Sequence, residues 1–93
     1  MFTVYMLECA DGAFYVGYTG DVARRVDQHN AGSGSAYTAA RRPVKLVFRE
    51  EHPDRVHAIA RERQLKRWTH AKKQLLATHG SSAVRHWSAR GNS

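Results

Sequence analysis

The sequence predicts an α+β fold, a small antiparallel three-stranded sheet flanked by three helices in the order β-β-α-β-α-α. The prediction rests on an aromatic, β-branched hairpin pattern at the start, one later alternating stretch over residues 44–50, and three segments that carry helix start and stop signals. The sheet cannot be all parallel, because its first two strands are joined by a short turn.

Residues 2–9 (FTVYMLEC) and 14–19 (FYVGYT) are rich in strand formers, and Asp11-Gly12 between them marks a turn. Thr19-Gly20-Asp21 gives the next turn, with Asp21 as N-cap, and VARRVDQHN then reads as a helix over about residues 22–31 stopped by Gly32. Residues 32–43 (GSGSAYTAARRP) are small, flexible and basic and end at Pro43, so they read as a loop. VKLVFRE (44–50) alternates, with Val44, Leu46 and Phe48 expected on one face of a third strand. Pro53-Asp54 opens a second helix to about Lys66, and Thr69 caps a third that closes at Gly80. The expected domain spans 1–80; the polar stretch 81–93 reads as a flexible tail, with Trp87 a candidate for docking.

With 93 residues, 42% of them hydrophobic and 10% aromatic, the chain suits one compact domain and excludes a bulky second module. Fifteen Lys and Arg against eight Asp and Glu give a net charge of +7 and a pI near 10.2, which makes a polyanion the expected partner. The excess is uneven: residues 51–93 hold nine basic and three acidic side chains, residues 1–50 six and five. A basic face on the C-terminal half follows, the plainer alternative being a solvated charged surface. Cys9 is the single cysteine, so an internal disulfide and a thiolate zinc cluster are excluded, and the cytoplasm is the expected compartment. The start lacks the basic region and long apolar core of a signal peptide, and no apolar run nears the ~18 residues of a membrane span, so no membrane partner is expected.

Several polar residues fall where helical periodicity places apolar ones. Arg25 and His29 lie along the stripe of Val22 and Val26, so either a cleft or a bound anion lies beneath them, or Arg25 pairs with Asp21 or Asp27 at the edge of the stripe. Glu62 sits at i+3 from Ile59 and three residues before Leu65, inside a partly apolar face and among Arg61, Arg63, Lys66 and Arg67. It is either an ordinary ion-pair partner of Lys66 or a ligand for a hard cation, which takes as few as one or two protein carboxylates. Tyr5 and Tyr15 lie on adjacent hairpin strands, where core packing is the ordinary role.

Thr3-Val4-Tyr5, Tyr15-Val16-Gly17 on the next strand, Arg25, His29 and Asn30 on the following helix, and Glu62 in ARERQLKRW together resemble the GIY-YIG nuclease domain over about residues 2–80. YVGYTGDVARRVDQHN, GSGSAYTAARRPVKLVF and ARERQLKRW resemble more narrowly the small stand-alone bacterial proteins grouped as UPF0213, and are similar also to the nuclease half of a eukaryotic structure-selective endonuclease. Two departures stand out: the family's first glycine is Thr3, and no asparagine lies between Asn30 and Asn92 to match a late asparagine of many members.

The resemblance implies a DNA endonuclease with Tyr5, Tyr15, Arg25 and His29 as catalytic residues. It also implies one divalent cation, Mg²⁺ or Mn²⁺, held by Glu62, and a role in DNA repair or recombination. Tyr5 would activate or position the attacking water, with His29 the other candidate to take the proton; for Tyr5 to act as the base, Arg25 and the metal must lower its ordinary pKa of about 10. Arg41, Arg42 and Lys45 after the loop, with Lys66, Arg67, Lys72 and Lys73, are the expected phosphate contacts. A monomer is compatible with this reading. The competing readings are a nucleic-acid-binding module without cleavage and a small structural RNA-associated protein; both explain the charge but leave the clustered polar residues to coincidence.

Overall fold

The structure, a computed structural model, describes residues 1–80, so the tail 81–93 and the docking of Trp87 lie outside the described residues. Strands β1 (Phe2–Glu8) and β2 (Phe14–Thr19) form the hairpin, and helix α1 (Val22–Asn30) follows. A one-turn helix α2 (Ala36–Ala39) leads to β3 (Lys45–His52), then α3 (Arg55–Lys66) and α4 (His70–His79). The three expected caps are in place: Asp21, Asp54 and Thr69 accept from the backbone N–H of Arg24, His57 and Lys72.

All three strands are antiparallel in the order β2-β1-β3, with β1 central, paired Tyr5 to Gly17 and Tyr5 to Arg49. Successive strand side chains point to opposite faces. Val4, Met6, Phe14 and Val16 therefore pack with Ala58, Leu65 and Leu76 of α3 and α4. Tyr5, Leu7 and Cys9 pack on the other face with Val44, against Tyr15, Val22 and Val26. Thr3 is buried within β1 and the strand runs through it unbroken.

Two expectations are corrected here. The stretch 32–43 is not all loop: Ser35 caps α2 by accepting from the N–H of Thr38. Val44, Leu46 and Phe48 do not share a face either. The β1–β3 register shifts between Met6 and Leu7, whose partners are Phe48 and Leu46, so Val47 is the extra residue of a bulge. Phe48 and Val47 thus pack on the α3–α4 side, Val44 joins the Tyr5 side, and Leu46 is left exposed.

Candidate active site

Tyr5 stands at the middle of β1, 1% exposed, with its hydroxyl 2.9 Å from Nε2 of His29. His29, on the last turn of α1, is fully buried, and its Nδ1 lies 2.7 Å from Oγ1 of Thr38, itself fully buried on α2. Both ring nitrogens are thus engaged. Two glycines make this packing possible. A Cβ on Gly17, opposite Tyr5 in the register, would lie 2.5 Å from the Tyr5 hydroxyl oxygen, and one on Gly34 would strike the His29 imidazole. The ring of Tyr15 lies 4.9 Å from that of His29 and 6.4 Å from that of Tyr5.

In front of this buried pair opens a cleft of about 370 Å³ lined by Tyr5, Tyr15, Gly17, Arg25, Arg55 and Glu62, among others. Arg25 bonds the Gln28 side chain at 3.0 Å rather than Asp21 or Asp27, and its Nε is buried without a partner. A buried guanidinium N–H left over is a donor awaiting an acceptor, which a phosphate oxygen would supply. Glu62 reaches the cleft from α3. Its side chain is 15% exposed and lines the cleft, and Lys66 stands 3.6 Å from its Oε2, so the i, i+4 pair exists and engages one of the two carboxylate oxygens. Among the described residues no group of three or more His, Cys, Asp or Glu converges, so a nitrogen- or sulfur-rich metal site is not built here. One carboxylate beside the guanidinium groups of Arg25 and Arg55 suits a hard divalent ion that fills the rest of its shell from water and an anionic ligand.

Burial sets the protonation of the pair. Desolvation pushes the Tyr5 hydroxyl up to about 12, outweighing the Arg25 guanidinium that pulls it down, while Tyr15 and Glu62 add to the rise. Arg25 therefore does not by itself ready Tyr5 for ionisation. Burial and, second, the charge of Arg25 hold His29 below the ordinary histidine range, hence neutral at neutral pH. Linkage gives the signs. The Tyr5 contribution to stability is complete below pH 10 and is lost as pH rises toward 12, whereas that of His29 is complete above about 6.5 and is lost as pH falls through its lowered value. Urea unfolding followed against pH should thus show a loss between pH 10 and 12 that is smaller in Tyr5→Phe. An identical alkaline slope in both proteins would show that Tyr5 is not the group being titrated.

Comparison with known proteins meets this geometry. The profile of the GIY-YIG catalytic domain matches residues 1–75. The chain belongs to the GIY-YIG family. Within it the chain groups with UPF0213 proteins: that of Haloquadratum walsbyi is 50% identical over 78 residues, covering 84% of this chain and 88% of the relative. That of Staphylococcus aureus is 46% identical over 73 residues, with 78% and 89% covered. The solution NMR structure of a UPF0213 protein from Bacillus halodurans, 40% identical, superimposes with a TM-score of 0.53 over 87% of this chain and 88% of that one.

All five residues singled out through the family resemblance, Tyr5, Tyr15, Arg25, His29 and Glu62, meet at or directly behind this cleft. The expected phosphate contacts divide. Lys66, exposed beside Glu62, and Lys73, close enough that the charge of Lys66 lowers its pKa after burial does, lie on the α3–α4 side; Arg67 is exposed at the C-cap of α3. Arg41 instead pairs with Asp11 at 3.1 Å and stacks on Tyr37, Arg42 donates to the carbonyls of Ala39 and Asn30, and Lys45 pairs with Glu8. Lys72 is 6% exposed with its Nζ 4.4 Å over the Trp68 ring. Sequence reasoning missed Arg55, Thr38 and Ser35. The spacing of Ser35 and Thr38, a capping residue three before a polar one, was the available signal for the last two.

Proposed function

We propose that the protein is a metal-dependent DNA endonuclease that hydrolyses phosphodiester bonds by attack of water, selecting DNA by shape and serving repair or recombination. The observation that carries the reading is the convergence, from three separate elements, of Tyr5, Arg25 and Glu62 on one cleft with a neutral histidine behind the tyrosine. A structural RNA-associated protein has no use for a guanidinium whose buried Nε–H is left without a partner beside a half-paired carboxylate.

In this reading a backbone phosphate takes the free N–H of Arg25, with Arg55 a second cation lining the same cleft. Water attacks phosphorus as Tyr5 receives its proton and passes its own to Nε2 of His29; the bond to the leaving oxygen breaks and that oxygen takes a proton from solvent. Tyr15 orients the water or phosphate. Because Tyr5 hands on one proton while accepting another, it never needs to stand as a free phenolate, which its raised pKa disfavours. A divalent ion held by Glu62, Mg²⁺ or Mn²⁺, would neutralise charge on the phosphate and the leaving oxygen.

Incubation with labelled flaps, branched junctions, single strands and duplex plus Mg²⁺ or Mn²⁺ is the direct test. Nicking that chelation abolishes is the expected result; binding to every structure without nicking any would favour the non-catalytic module. Arg55→Gln should weaken binding to all sequences alike and reduce the slope of log affinity against log salt by about 0.9 for duplex DNA, one phosphate contact. An unchanged slope would remove Arg55 from the interface.

A further inference from the structure

We infer that Thr38 is a positioning residue: backed by Ser35, its hydroxyl fixes the tautomer of His29 so that Nε2 presents a lone pair to Tyr5. The inference rests on the proposed roles of Tyr5 and His29.

The polar atoms around His29 admit two closed hydrogen-bond patterns. In the first, Thr38 donates to Nδ1, Nε2 carries the proton and donates to the Tyr5 oxygen, and the Tyr5 hydroxyl hydrogen must find another acceptor. In the second, Nδ1 donates to Thr38, Thr38 donates onward, and Tyr5 donates to a bare Nε2. The surroundings select the second. Tyr5 is 1% exposed, and the other group that hydrogen-bonds it is the Arg25 guanidinium, which offers donors alone, while Tyr15 and the Glu62 carboxylate act on it through charge and make no hydrogen bond to it. His29 Nε2 is the acceptor within reach at 2.9 Å. A buried hydroxyl hydrogen with no acceptor bears the cost of an unmade bond.

Thr38 is equipped for its part in that pattern. Its Oγ1 accepts from Nδ1 at 2.7 Å, donates to the Ser35 carbonyl oxygen at 3.4 Å, and lies 3.0 Å from the Ser35 hydroxyl, which can donate to it. The Ser35 hydroxyl is itself held by the Thr38 N–H at 3.1 Å, so α2, a single turn, exists around this one contact. Flipping the imidazole would set ring carbons against both oxygens, and Gly34 on one side and the Tyr15 ring at 4.9 Å on another confine it. The groups that face the ring are therefore Tyr5, Thr38, Tyr15 and the charge of Arg25, the last favouring the neutral form. Once His29 accepts the Tyr5 proton, the Nδ1–H bond to Thr38 remains in place and the relay needs no rearrangement.

Nitrogen NMR of histidine-labelled protein reads the tautomer without reference to activity. The wild type should show a protonated Nδ1 and an unprotonated Nε2 at neutral pH. Thr38→Val, close in volume but without the hydroxyl, should move a measurable share of the proton to Nε2 and lower kcat about 10- to 100-fold with KM for DNA unchanged. Thr38→Ser should restore the tautomer and most of the lost rate. An Nε2–H tautomer in the wild type overturns the inference, as does a Thr38→Val protein with tautomer and rate both unchanged. A wild type that cleaves no DNA would end the nuclease reading, and the labelled spectra would still decide what Thr38 does to His29.

Discussion

Replacing Tyr5 with Phe is expected to slow cleavage about 10²- to 10⁴-fold, the range that a positioned proton-transfer group contributes, in a protein that remains folded and binds DNA. The ring stays, so the packing against Tyr15 and Gly17 stays with it. What disappears is the hydroxyl through which a proton would pass from water to His29, together with the hydrogen bond at 2.9 Å. Leaving Nε2 of His29 unpaired in a fully buried position should destabilise the fold by about 1–3 kcal/mol, within what a small domain tolerates. Arg25→Ala should act on the same step from the phosphate side, with a loss of about 10²- to 10³-fold for one removed charge donor. Single-turnover rates with saturating DNA, read beside a thermal melt, separate chemistry from folding. Near wild-type cleavage by Tyr5→Phe would show that the buried pair is structural. The wild-type rate should also fall on the acid side, at a pH below the ordinary histidine range, because a protonated His29 cannot accept from Tyr5.

Much of this site was legible in the chain, and the reasons are local. Arg25 and His29 break an apolar stripe one helical turn apart, and periodicity alone places both against the sheet. Asp11-Gly12 fixed the hairpin, which sets Tyr5 and Tyr15 on one face of neighbouring strands. What stayed hidden depends on longer-range geometry. The bulge at Val47 leaves no trace in VKLVFRE, where strict alternation reads equally well and puts Leu46 on one face with Val44 and Phe48. Thr38 lies in a Gly- and Ser-rich stretch that reads as loop, and only the fold brings its hydroxyl to a histidine nine residues earlier. Pro53-Asp54 reads as the opening of a helix; that this helix starts beside Phe2, with Arg55 on the cleft, is a tertiary fact. Arg41, Arg42 and Lys45 were legible as charge, but their carboxylate and carbonyl partners were not.

Glu62→Gln should keep the fold and DNA affinity while losing metal-dependent cleavage. Glutamine matches glutamate in size and nearly in helix propensity, and the ion pair it gives up with Lys66, itself half-exposed, contributes only about 0.2–0.5 kcal/mol. Removing a negative charge from a strongly basic surface should, if anything, tighten DNA binding. The substitution also relieves one of the influences that raise the Tyr5 pKa, so a lost rate could not be blamed on a harder proton transfer at Tyr5. What remains to explain the loss is the cation: one carboxylate binds Mg²⁺ or Mn²⁺ weakly until substrate phosphate supplies further oxygens, and an amide oxygen supplies no charge at all. Cleavage measured against Mn²⁺ concentration should rise to a plateau in the wild type and stay near background throughout in Glu62→Gln. A variant that cleaves with the same midpoint in Mn²⁺ as the wild type would move the metal away from Glu62, leaving that carboxylate as the partner of Lys66 and nothing more.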